Sequence, residues 1–183
     1  VPLDLNASED ASEIVKRNDR LSKLMNVLGS KSYRQAELEA SAMAQDHLSV
    51  SSHLEELSAV QQWFRALVSR LSIENPWVNE QFDQLNLALA EGFTNAVRHA
   101  HANLPKTTPI DIELLLCPEQ IEIRIFDRGR PFDPSSLSEP QPGSLREGGY
   151  GWFLLRRLAD KVTYDSQADR RNCLRIVKTA KIV

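Results

Sequence analysis

The chain has 183 residues, 42% hydrophobic and 26% charged, with a formal net charge of -3. That length suits one domain with a proper core and a short appendage, and leaves no room for two domains of ordinary size. The slightly negative balance speaks against direct nucleic-acid binding through a general basic surface. No apolar run reaches membrane-spanning length, so a cytoplasmic protein without membrane association is expected.

Val1-Pro2-Leu3-Asp4 offers no basic stretch followed by an apolar one, as a secretory leader would. A first residue other than Met is expected of a processed chain or of part of a longer one. Residues 7 to 45 read as helix, with Ser8 or Ser12 as cap and Ile14, Leu21, Met25 and Leu28 near heptad spacing. Gly29-Ser30 interrupts it, and a second helical run follows from Lys31 to Gln45. This apolar stripe must bury against something, either its own domain or a partner as a signalling or dimerising helix. Residues 1–46 are therefore expected to form a helical extension or connector, and 47–183 the main domain.

Leu48 and Val50 alternate with polar neighbours between His47 and Ser52, as in a half-buried strand. Helical spacing then runs from Glu55 to Leu71 through Leu57, Val60, Phe64 and Leu67, and Asn75-Pro76 is expected to end that helix. A long helix over Asn79 to Ala102 stops at Asn103-Leu104-Pro105. Two strands, Ile110 to Cys117 and Gln120 to Asp127, flank a hairpin signal at Pro118-Glu119. Residues 128 to 149 are rich in Pro, Ser and Gly and read as a loop, whose length within a compact domain suggests a ligand lid. A helix from Gly151 to Asp160 and strands Lys161 to Ser166 and Asn172 to Lys178, turned around Gln167 to Arg171, complete the chain. This order predicts an α+β two-layer sandwich: a mixed, largely antiparallel sheet with helices on one face. Cys117 and Cys173 stand alone in apolar, strand-like surroundings and read as small buried side chains rather than metal ligands.

Three segments carry chemistry. Glu91 and Asn95, four apart, share one helix face, where a carboxylate and a carboxamide oxygen suit a hard cation such as Mg²⁺. Taken alone, such a pair is equally an ordinary solvated face. Arg98 and His99 lie one turn on; Arg98 reaches a phosphate or stays in water, and His99 reads as structural. Asp127 ends a strand, and Gly129 two residues later lets a backbone approach a flat ligand without a Cβ between them. Gly148-Gly149-Tyr150-Gly151 leads into a helix, whose free amides and dipole favour anions. No Gly-Lys-Ser/Thr follows, which excludes a Walker loop.

In this order the three segments resemble the N, G1 and G2 boxes of the ATP-binding fold shared by gyrase, histidine kinases and MutL. With a short chain and short lid, residues 47 to 178 are similar to the anti-sigma-factor serine/threonine-protein kinase branch of the GHKL (histidine kinase-like) ATPases. The resemblance implies the Bergerat α+β fold, with ATP and Mg²⁺ as cofactors. It assigns Mg²⁺ to Asn95 and the general base to Glu91. The adenine amine goes to Asp127, the close approach of the base to Gly129 and the pocket floor to Phe132. Phosphates go to Gly149 and Gly151, with Arg98 beside them and Arg128, Arg130 and Arg146 in or near the lid. It implies phosphorylation of an anti-anti-sigma (STAS-type) partner and control of a sigma factor by partner switching, with a homodimer also open.

Three positions depart from the pattern: Pro131 replaces a frequent glycine, Trp152 a smaller aliphatic residue, and Cys173 a threonine that helps bind nucleotide. Ser52-His53-Leu54-Glu55 is similar to a histidine-kinase phosphoacceptor motif, but His53 lies only 42 positions before Asn95, too close for a dimerisation hairpin to intervene. Two other readings stand beside the kinase: a nucleotide-sensing binding switch without transfer activity, and the ATP-binding unit of a larger sensor.

Overall fold

The structure, a computed structural model, describes residues 38–136 and 150–180, apart from the side chain of Ser135. The chain divides into two compact units, Val1–Ala42 and Met43–Val183. In the first unit, residues 38–40 are helical, and the Ser41 amide and hydroxyl donate to the Leu38 carbonyl at 3.2 and 3.0 Å. The helix expected through Gln45 is therefore corrected, because strand β1 already begins at Ala44. The remainder of that expected helix, with Ile14, Leu21, Met25 and Leu28, lies outside the described residues.

The second unit runs β1 (Ala44–Ser51), a 3-10 turn (Leu54–Glu56), α1 (Leu57–Leu71), α2 (Pro76–Glu80), α3 (Phe82–Asn95) and a π turn (Ala96–Ala100). It continues with β2 (Pro109–Cys117), β3 (Gln120–Asp127), a 3-10 turn (Pro134–Ser136), α4 (Tyr150–Leu158), β4 (Lys161–Ser166) and β5 (Asn172–Thr179). The sheet order is β1-β2-β3-β5-β4, and every pairing among the described strands is antiparallel. The expected mixed character is resolved by topology. β4 runs parallel to β3, as a strand-helix-strand connection requires, but β5 returns by a short turn and inserts between them, so the parallel strands never pair.

α1 ends at Leu71, the last residue of the helical spacing, where the Ser72 hydroxyl and amide both donate to the Val68 carbonyl (2.7 and 2.9 Å). Pro76 opens α2 at its first helical position, where the missing N–H is no loss, rather than closing α1. The helix expected over 79–102 is broken at Gln81 and changes to π geometry after Asn95, with the His101 amide donating to the Ala96 carbonyl at 2.8 Å.

Alternation along the strands puts one set of side chains under the helices. Ile112 and Leu114 of β2, Ile123 and Ile125 of β3, and Leu174 and Ile176 of β5 meet Phe64 and Leu67 of α1 and Leu85, Leu89 and Phe93 of α3. Phe64 stacks on Phe82, with centroids 5.7 Å apart, and joins α1 to α3. On the opposite face, Glu122 and Arg124 are buried as an ion pair at 2.5 Å, and Arg175 reaches Glu122 at 3.0 Å. Period-two patterning would have made those charges solvent-facing.

α3 sits unusually close to the sheet at Gly92. A Cβ there would come within 2.6 Å of Ile125 Cδ1 and 2.8 Å of Leu174 Cδ2. Both neighbours are buried in the core and have little room to retreat. Gly92→Val is expected to lower stability by about 1–3 kcal/mol through overpacking. A denaturation midpoint equal to that of the parent would contradict the close seating of α3.

Candidate functional site

The site forms at the end of the sheet where β3 stops, under α3 and α4. Asp127, the last residue of β3, shares the core face with Ile123 and Ile125 and is 3% exposed. Its Oδ1 accepts from the Gly129 amide and from Asn172 Nδ2, each at 2.9 Å, and its Oδ2 accepts from the Tyr164 hydroxyl at 2.9 Å. Asn172 Nδ2 also donates to the Gly129 carbonyl at 3.0 Å, while its Oδ1 accepts from Ser166 Oγ at 3.1 Å. A buried carboxylate needs such donors to replace water. Burial, and then the neighbouring Asp127 charge, push the Tyr164 phenol well above its ordinary value, so it stays a donor at all ordinary pH.

The turn after β3 is held from the π turn. His101 is fully buried; its Nε2 accepts the Arg128 amide at 2.8 Å, which leaves Nδ1 to carry the proton and donate to Ser52 Oγ at 3.2 Å. Burial is the main cause that lowers the His101 imidazole below its ordinary value of 6.5. Gly129 lies against the backbone of Ala100, where a Cβ would come within 2.7 Å of the Ala100 Cα.

On the other side, Gly151 in the first turn of α4 rests directly on the two polar residues of α3. A Cβ on Gly151 would overlap Glu91 Oε1 and lie 3.0 Å from Asn95 Nδ2. The helix-face pair and the final glycine of the Gly-Gly-Tyr-Gly run therefore touch in space, although they are 56 residues apart from Asn95 to Gly151 (151 − 95).

Between these two walls is a cavity of about 310 Å³. Gly92, Asn95 and His99 line it from α3 and the π turn, Asp127, Arg130 and Phe132 from the end of β3 and the segment after it, and Gly151, Trp152 and Leu155 from α4. Tyr164 and Leu174 close the sheet side. Phe132, 44% exposed, packs edge-on to Trp152 (5.9 Å, 87°) and tilted on Tyr164 (4.6 Å, 40°). Trp152, conspicuous in the sequence for its size, is thus part of an aromatic wall.

Of the residues singled out from the sequence, Asn95, Asp127, Phe132 and Gly151 line the cavity; Gly129 is bonded to Asp127, and the half-buried Glu91 abuts Gly151. Arg98 is exposed and is not among the lining residues, whereas His99 is. Arg128 is turned toward Asp111 at 3.8 Å. Gly148, Gly149 and Arg146 lie outside the described residues. Cys173 is on the face of β5 opposite Leu174 and so points away from the cavity; the residue that meets Asp127 from β5 is Asn172. The alternation of Leu174 and Ile176 carried that signal. Asn172, Tyr164 and His101 were missed because their role depends on strands and turns brought together by the fold. Among the described residues no three His, Cys, Asp or Glu side chains gather as a metal-binding group, and no helix is long and apolar enough to cross a membrane.

Residues 50–178 match the family model of the histidine kinase-like ATPase domain. Similar curated proteins include the serine-protein kinase RsbW of Oceanobacillus iheyensis, 36% identical over 96 residues, covering 48% of this chain and 60% of that protein. RsbW of a Staphylococcus aureus strain is 34% identical over 92 residues, covering 46% and 58%. The matches thus span about three fifths of the length of these curated relatives. Among solved structures, the SiaB-SiaC complex from Pseudomonas aeruginosa aligns with a TM-score of 0.48 at 10% identity, covering 83% of this chain and 98% of that one.

Two outcomes are expected of this geometry. Gly129→Ala forces the Ala100 backbone to move and lowers the thermal midpoint by an amount corresponding to about 1–3 kcal/mol; an unchanged midpoint would contradict the contact. Burial pushes the Cys173 thiol up to about 12. The native protein should therefore leave Cys173 unlabelled by a maleimide at mildly alkaline pH and expose it only on denaturation, with the site of labelling read by peptide mass mapping.

Proposed function

The chain belongs to the histidine kinase-like ATPase domain family, a family that uses ATP, and on that premise we propose that it is an anti-sigma regulatory serine kinase. It would phosphorylate a serine or threonine of a STAS-type anti-anti-sigma partner and thereby control a sigma factor or similar target by partner switching. The observation that carries the reading is that Asn95, Gly151 and Asp127 line one cavity, with Glu91 in contact with Gly151.

The residues present fit the groups this reading requires. Gly151 leaves the backbone of α4 directly against the Glu91 and Asn95 side chains, a close approach that a Cβ would fill. Asn95 offers a carboxamide oxygen and Glu91 a carboxylate, hard donors of the kind Mg²⁺ accepts alongside water and phosphate. Asn95 would hold the ion, and Asp127 the exocyclic amine of the base, with Phe132 and Trp152 walling the ring. Bound Mg-ATP supplies the γ-phosphoryl group and part of the charge neutralisation.

This chain's own share of the reaction is positioning and proton handling. Glu91, half-buried beside Gly151, would accept the proton of the partner's hydroxyl as it attacks. Amides at the start of α4 and the positive end of its dipole would favour the phosphates, with Arg130 at the cavity wall as a further cation. Phosphorylation of the partner would then add charge to a packed interface and release it.

In calorimetric titrations the protein is expected to bind ATP in a Mg²⁺-dependent manner. Glu91→Ala should retain binding while phosphate transfer to the partner falls by about a hundredfold or more. Undiminished transfer by the variant would remove Glu91 from its role. Tight binding with no transfer by the parent to any STAS-type partner would favour a nucleotide-dependent binding switch, and no binding at all would sink both.

A further inference from the structure

We propose that His101, which belongs to none of the three motif segments, is a positioning residue that fixes the base-binding edge of the cavity only while its imidazole is neutral, so that nucleotide affinity falls on acidification. The inference rests on the reading of the cavity as a nucleotide site and adds to it a residue and a control.

The geometry is specific. The π turn after Asn95 carries the His101 ring beneath the turn that follows β3. There Nε2 accepts the backbone amide of Arg128, the residue between Asp127 and Gly129. Nδ1 faces Ser52 Oγ, and Ser52 is itself anchored through its amide to the Lys106 carbonyl at 2.9 Å. The ring is fully buried, so water cannot replace either partner. One imidazole therefore ties the end of the first helix-face segment, the loop after β1 and the Asp127-Gly129 turn to one another.

Protonation would place a second N–H against the Arg128 amide at a donor-acceptor distance of 2.8 Å. The two hydrogens repel, and the turn must open. Asp127 of β3 favours the imidazolium, whereas burial, Arg128 and Lys106 disfavour it, and the balance keeps the imidazole neutral below its ordinary value of 6.5. Because the folded value is lowered, the ring is neutral at and above its ordinary value, and its hold on the turn is lost only as pH falls through that lowered folded value. The exposed His99 also lines the cavity but makes none of these contacts.

The test uses the full chain, Mg-ATP and calorimetry between about pH 8 and about pH 5. His101→Ala is expected to weaken binding by about tenfold near neutrality, the cost of an orphaned buried amide. In His101→Gln a side-chain oxygen that does not titrate can accept the Arg128 amide, so affinity should stay within about threefold of the parent. Toward acid pH the parent should lose about tenfold more affinity than His101→Gln, which has no titrating group at that position. Nitrogen-15 spectra should show the Nδ1–H tautomer in the parent. Parallel acid limbs in the parent and His101→Gln, parent-like binding by His101→Ala, or an Nε2–H tautomer would each overturn the inference. If His101→Ala does not fold, the pH profiles of the parent and His101→Gln decide alone. A parent chain that binds no nucleotide even at pH 8 would instead reject the nucleotide site itself, and the role of His101 with it.

Discussion

Asp127 carries a carboxylate almost wholly removed from water at the end of the central strand, and that burial has to be compensated. The compensation comes from three places: the Gly129 amide just beyond it, Asn172 on β5 and Tyr164 on β4. These donors can converge only because β5 inserts between β3 and β4, which sets Asn172 opposite Asp127 and Tyr164 opposite Leu174. The sheet order is thus tied to the site, since a buried charge without these partners would be costly to keep.

Around that carboxylate, close approach is achieved by leaving out side chains. Gly92 lets α3 settle onto Ile125 and Leu174, Gly129 lets the turn after β3 lie on the Ala100 backbone, and Gly151 lets α4 touch Glu91 and Asn95. Each contact joins elements distant in sequence, and each would be filled by a single methyl group. Together they draw α3, the end of β3 and α4 around one cavity, with the π turn supplying the local change of phase that brings Ala100 and His101 under the turn. Polar groups at the far wall and an aromatic wall of Phe132, Trp152 and Tyr164 give that cavity two chemically different sides, suited to a ligand with a charged end and a flat apolar one.

Much of the fold was legible along the chain. β2, β3, β4 and β5 stand within a residue of where strand-like runs and turn residues put them, because turn residues bracket runs rich in β-branched and other apolar residues. Helix ends were less legible: Pro76 opens α2 rather than closing α1, and the π turn after Asn95, closed by the His101 amide on the Ala96 carbonyl, is a change of phase that no periodicity encodes. The burial of Glu122 and Arg124 also ran against the pattern, since an ion pair permits what single charges would not. Attention fell on Cys173 by motif position, whereas strand parity points it away from the cavity and gives the place beside Asp127 to Asn172.

The sequence by itself determined the order of the strands and of the main helical stretches along the chain and picked out the motif residues Glu91, Asn95, Asp127, Gly129 and Gly151, since these depend on local periodicity, turn chemistry and residue type. Only the tertiary structure decided that Gly151 meets Glu91 and Asn95, that Asn172 and Tyr164 saturate Asp127, and that His101 holds the Arg128 amide. Those are contacts between segments up to about sixty residues apart, and their existence depends on strand order and helix seating, quantities that a linear pattern does not contain.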